Sequence, residues 1–244
     1  MKTKQLPLFL LLLLAVAGMA KAQSFQPYRS GVIQYHGYVY PVVPGTETWK
    51  NIDYPQRVAS LQLSDDTLRS ISTERLLETC LYYPFNIDIF AFDDQIGSFG
   101  RVKNQFNGYT ELYQRADFVQ RLISLYNSRN VSFVDQIAVD YDRGLYAFDF
   151  KIMEFMFSDA AILASDAQAA QIAALLMEKM GQKAQNRVYG SSNRIPLGLA
   201  IGRCLQRTNA FADYQGSTLQ GFLQSGKLAN PSDLDYIFNK ARTL

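Results

Sequence analysis

The stretch STERLLETCLYYPFNIDIFAFDDQIGSFGRVKNQFNGYTELYQR, Ser72 to Arg115, decides the fold, because three helical patterns succeed one another in it with only short turns between them. Leu76, Leu77, Cys80 and Leu81 fall on one side of a helix of 3.6 residues per turn. Ser72 or Thr73 caps its start and Glu74 suits the positive end of its dipole. Pro84 stops it, since the residue before a proline is pushed out of the helical region. After a short apolar run from Ile87 to Phe92, Asp93 and Asp94 offer caps for a helix whose buried side carries Ile96, Phe99, Val102 and Phe106. Asn107-Gly108 is expected to end that helix, because both residues tolerate a left-handed backbone. A further turn leads to Asp117 and a helix in which Phe118, Val119, Leu122, Ile123, Leu125 and Tyr126 form a broad apolar stripe. Helices meeting in this order predict an all-α fold, an irregular α-α superhelix or helical array of armadillo or HEAT-like kind.

The same residues carry a resemblance. Ser72-Thr73-Glu74, Leu81-Tyr82-Tyr83-Pro84, Asp88, Ala91, Phe106-Asn107-Gly108, Glu111-Leu112, Arg115-Ala116-Asp117 and Tyr126 form a pattern similar to that of secreted all-helical proteins of Bacteroidetes-type bacteria, over roughly residues 49–130. That resemblance implies an exported helical domain. The group has no established activity, so no catalytic residues come with the likeness.

The first 22 residues read as a secretory signal, with Lys2 and Lys4 in front, an apolar run from Leu6 to Ala17, and small residues at Ala20 and Ala22. Cleavage after Ala22 is expected to release a periplasmic or extracellular chain that starts at Gln23. The apolar run is shorter than the ~20 residues a spanning helix needs, so no transmembrane segment is expected. Removing Lys2, Lys4 and Lys21 from the 24 basic residues leaves 21 against 22 acidic ones, so the exported chain is near neutral and nucleic acid is not its expected partner.

Residues 23–48 are aromatic and poor in charge, with Tyr28, Tyr35, Tyr38 and Tyr40 punctuated by glycine and proline. They predict an extended N-terminal arm, strand-like over VIQYHGYVY, that lies as a strap along the body rather than presenting its rings. The helical domain then covers 49–244, as one unit or as two packed halves, 49–130 and 145–244. Residues 127–144 read as a loop. A strongly apolar helix follows over 145–157, interrupted at Asp159, and an alanine-rich helix starts at Ser165-Asp166. These two are hydrophobic on several sides and mark the middle of the core. Later helices begin at Pro196, with a Gly198/Gly202 spacing that permits close approach, before Gly226, which ends a short one, and at Pro231.

Chemistry is sparse. His36 is the only histidine, which removes zinc spacings and leaves a serine or cysteine nucleophile without a well-placed base. Cys80 and Cys204 sit in apolar helical patterns and read as buried free thiols rather than a bridge. Asp140-x-Asp142 begins like a calcium loop, but Gly144 and Lys151 occupy positions that need ligands. Carboxylates in or beside apolar segments remain: Asp88, Asp93, Asp94, Glu111, Asp149, Glu154 and Asp159. The residues expected at one edge of the array, and so the candidate binding site, are Asp88, Asp93, Asn107, Glu111 and Arg115. No catalytic residue, metal or cofactor is assigned. The expected function is a non-catalytic interaction module for a protein or cell-surface polymer, and the alternative is a carboxylate-dependent hydrolase acting on glycan or peptide.

Overall fold

A computed structural model describes residues 26–91, 94–190 and 194–243 of the chain. Residues 1–22, expected to be a secretory signal, and Asp93 lie outside the described residues. Every regular element among those described is helical: α1 Glu47–Lys50, α2 Tyr54–Ser60, α3 Asp65–Ser70, α4 Thr73–Leu81, α5 Gln95–Gln105, α6 Asn107–Gln114, α7 Phe118–Ser128, α8 Asp140–Leu163, α9 Asp166–Lys183, α10 Arg194–Gln206, α11 Leu219–Ser225 and α12 Ser232–Ala241. Three 3₁₀ segments, Pro84–Ala91, Val131–Gln136 and Arg187–Tyr189, link them. Helix lengths run from 4 to 24 residues, too unequal for a regular stack of repeated pairs.

Local chemistry sets most of the starts. Asp53 and Gln56 close a capping box on α2, and Ser64, Ser72 and Asp94 accept N–H groups of α3, α4 and α5. Ser165 and Gln168 box the start of α9, and Gly226, at φ 74°, ends α11 in the left-handed conformation.

The centre is α8. Apolar residues occupy all its sides, and it packs most extensively on α10 while also meeting α4, α7, α9 and two of the 3₁₀ segments. Asp159 does not interrupt it. Lys103 at 2.5 Å and Arg203 at 3.7 Å offset the carboxylate, so the helix continues to Leu163. One contiguous buried cluster runs from Tyr28 to Phe238, with ring stacks such as Tyr83 on Phe106 at 4.4 Å and Phe99 on Phe155 at 5.4 Å.

Three further local expectations are corrected. Asn107-Gly108 opens α6 instead of closing α5, because the extended residue Phe106 already separates the two helices. The segment 127–144 is largely helical: α7 reaches Ser128, Val131–Gln136 forms a 3₁₀ turn capped by Asn130, and α8 starts at Asp140. The arm contains no strand among the described residues, because α4 and α8 engage it through side chains rather than a neighbouring strand edge. It is nonetheless a strap. Tyr28, Tyr35 and Tyr40 are buried, the Tyr38 N–H donates to Thr79 Oγ1 at 2.8 Å, and Arg75 Nε donates to the His36 carbonyl at 3.0 Å.

Candidate functional site

The described residues expected at one edge are each engaged in contacts within the fold. Asn107, Glu111 and Arg115 follow one another at helical spacing along α6 and its cap, where they clasp the segment before and within α3. Asn107 exchanges two hydrogen bonds with the backbone of Leu63, at 3.0 and 2.7 Å. Arg115 pairs with Glu111 at 2.7 Å and donates to the Leu68 carbonyl at 2.5 Å. Asp88 is held elsewhere, in the first 3₁₀ segment, where it shares the Tyr54 hydroxyl with Gln105, at 3.1 Å each. Asn107 and Arg115 hold backbone, Glu111 steadies Arg115, and Asp88 holds the Tyr54 side chain.

Nucleophile chemistry is no better placed. Cys80 and Cys204 are buried free thiols, and burial pushes both well up, Cys204 to about 12. His36 is exposed on the arm with its carbonyl engaged by Arg75. Among the described residues no group of three or more potential ligands is arranged for a metal ion. Asp142, first of interest as a calcium ligand, is buried and spends its oxygens on the arm. It accepts the N–H groups of Arg29 and Ser30 at 2.9 and 2.8 Å and the Ser30 hydroxyl at 2.5 Å.

What the fold builds instead is a groove of about 1120 Å³ between arm and body. The arm supplies one wall, from Gln26, Pro27 and Arg29 and again from Val43 to Thr46. The end of α4 and the first 3₁₀ segment supply Leu81 to Pro84, Asn86 and Ile87, and the first turns of α8 supply Asp140, Tyr141, Gly144, Leu145 and Phe148. Ile87 and Tyr141 remain 59% and 49% exposed, and Phe90, half-exposed, packs on Phe148 at 5.5 Å. The helical body therefore ends here in a partly apolar face with aromatic rings that none of the described residues covers.

Beneath this groove lies a buried polar cluster. Tyr82, in the wall, donates to Asp149 Oδ2 at 2.8 Å and accepts from Arg129 at 2.9 Å, while Arg129 also pairs directly with Asp149 at 2.9 Å. Tyr28 of the arm donates to the same carboxylate oxygen. Burial pushes the Asp149 carboxyl up to about 6, against the opposite pull of Arg129 and the two hydroxyls. The tyrosines move up too, mainly through burial, and stay protonated. This carboxylate is closed in by its partners and is not among the residues that line the groove. A second buried pair, Glu154 with Lys183 and the Tyr126 hydroxyl, ties α8 to α9 and α7.

Sequence reasoning singled out Asp149 and Glu154 as acids inside an apolar run, but not their partners, which stand 20 and 29 positions away. It passed over Arg29 and Tyr141, and took Phe148 only as part of the apolar helix over 145–157. The one legible signal was the density of rings around residues 28–40 and 141–148. No protein-family model, curated protein or solved structure matches this chain.

Proposed function

We propose that this protein is an exported, non-catalytic helical module that binds a protein or a cell-surface polymer in the groove between its arm and α8. The groove carries the reading: a preformed concave surface with exposed Ile87 and Tyr141, a partly buried Phe148, and no carboxylate pair or nucleophile among its described lining residues. Aromatic and branched apolar side chains left in water cost stability unless something covers them, and interfaces concentrate such residues. Export rests on the leader pattern of residues 1–22 and on the resemblance to secreted helical proteins. No helix among the described residues is long and apolar enough to cross a membrane.

The test uses the chain without its first 22 residues, incubated with cell-envelope material and then washed. The native protein is expected to be retained, and Ile87→Asp to lose that retention by about tenfold or more while keeping its helical circular dichroism. Equal retention of the variant, or measurable turnover of a glycan or peptide by the native protein, overturns the reading in favour of another surface or of the hydrolase.

A further inference from the structure

The walls of the groove mix apolar side chains with a few polar ones, and Arg29 is the one cation among the described lining residues. Arg29 sits over the ring of Tyr141, its guanidinium carbon 3.8 Å from the ring centroid. Its guanidinium makes no close ion pair among the described residues, although its charge acts on the buried Asp142 behind it. Asp140, the acid in the same wall, is engaged by Arg143 at 3.5 Å and its side chain is 96% exposed. The backbone of Arg29 is fixed from behind by the buried Asp142, and its guanidinium rests on the Tyr141 ring. The neighbouring polar groups are mostly spent: the Asn86 amide serves the Cys80 and Leu81 carbonyls and the Tyr109 hydroxyl. Tyr83 is the exception, a buried wall residue whose hydroxyl lacks a hydrogen-bond partner among the described residues.

From this we infer that the groove seats an extended peptide segment that carries an aromatic or branched apolar side chain close to a carboxylate, the carboxylate meeting Arg29 and the apolar group meeting Ile87, Leu145 and Phe148. The inference rests on the binding reading above and names its ligand class. Charge complementarity supplies the acid: a planar guanidinium backed by a ring presents its remaining N–H edge to a bidentate anion. The aliphatic part of the lining, Val43, Ile87 and Leu145, favours a peptide over a sugar chain, because the many hydroxyls of a glycan would be buried beside it with few partners, whereas the rings of Tyr82, Tyr83, Tyr141 and Phe148 suit either ligand. At about 1120 Å³ the groove also exceeds the ~300–1,000 Å³ usual for small-molecule sites and suits several residues of chain.

A display library of short random peptides, panned on the chain without its first 22 residues, tests this. Enriched sequences are expected to pair an apolar side chain with a nearby Asp, Glu or free carboxyl end. In fluorescence polarisation with a synthetic enriched peptide, replacing its acid by the amide is expected to weaken binding by about tenfold or more. Arg29→Gln should do the same and Arg29→Lys should restore part of it. Both variants keep the backbone N–H groups that bind Asp142, and circular dichroism checks their fold. Enrichment without acids, indifference to Arg29→Gln, or Arg29-dependent binding of polygalacturonate in place of peptide overturns the inference. If no peptide enriches while envelope material is still retained through Ile87, the ligand class fails and the binding module stands.

Discussion

Asp142 shows how a single side chain decides where the arm lies. Its position in the first turn of α8 already suits a carboxylate, and its two oxygens collect three donors from Arg29 and Ser30. Burial alone would push its carboxyl up, but the Ser30 hydroxyl and the two arm amides outweigh that and hold it below the usual carboxylate range. A carboxyl lowered on folding stabilises the native state above the unfolded value and loses that contribution as pH falls through the folded one. Asp142→Asn is therefore expected to cost about 2 kcal/mol at neutral pH, read from urea unfolding. That difference from the native protein should hold from about pH 5 to 8 and shrink below about pH 4. A difference that grows on acidification would mean that Asp142 does not latch the arm as an anion. The sequence displays Asp140-x-Asp142 plainly, but an acid held by amides more than 100 positions away and an acid waiting for calcium look alike in it.

At the scale of elements, apolar periodicity was readable and interruptions were not. Asp159 looks like a break in a hydrophobic run, yet Lys103 of α5 and Arg203 of α10 allow α8 to pass through it. The Gly198/Gly202 spacing was a sound guide to close approach. A Cβ at Gly198 would meet Leu234 of α12, and one at Gly202 would meet Leu223 of α11 and lie 3.1 Å from Ile237 of α12. Gly202→Leu is accordingly expected to push α11 and α12 off α10 and to cost about 1–3 kcal/mol through overpacking. Gly202→Ala should cost less, because Leu223 and Ile237 can shift at their tips and alanine gains up to about 1 kcal/mol of helix propensity. Urea midpoints of the two variants check the order. A Gly202→Leu protein as stable as the native one would show that the helices do not meet there as tightly as drawn.

For the whole molecule, the arm is part of the core rather than an appendage. Tyr28, Tyr35, Tyr40 and Val43 belong to the same buried cluster as α8, and Tyr28 adds a donor to Asp149 Oδ2. Each buried side chain of this size contributes about 1.5–3 kcal/mol, so a chain starting at residue 46 is expected to melt about 10 °C lower or more, followed by circular dichroism at 222 nm. An unchanged midpoint would make the arm a passenger and remove one wall of the groove from consideration. What the sequence settled by itself was the all-helical class, most helix starts and the apolar faces, because caps and 3.6-residue periodicity act over a few neighbouring positions. Only the tertiary structure decided which charges are structural and where the open surface lies. Arg29 and Tyr141, or Asp149 and Arg129, become partners through packing between distant segments, and no local pattern records which separated residues the folded chain will bring together.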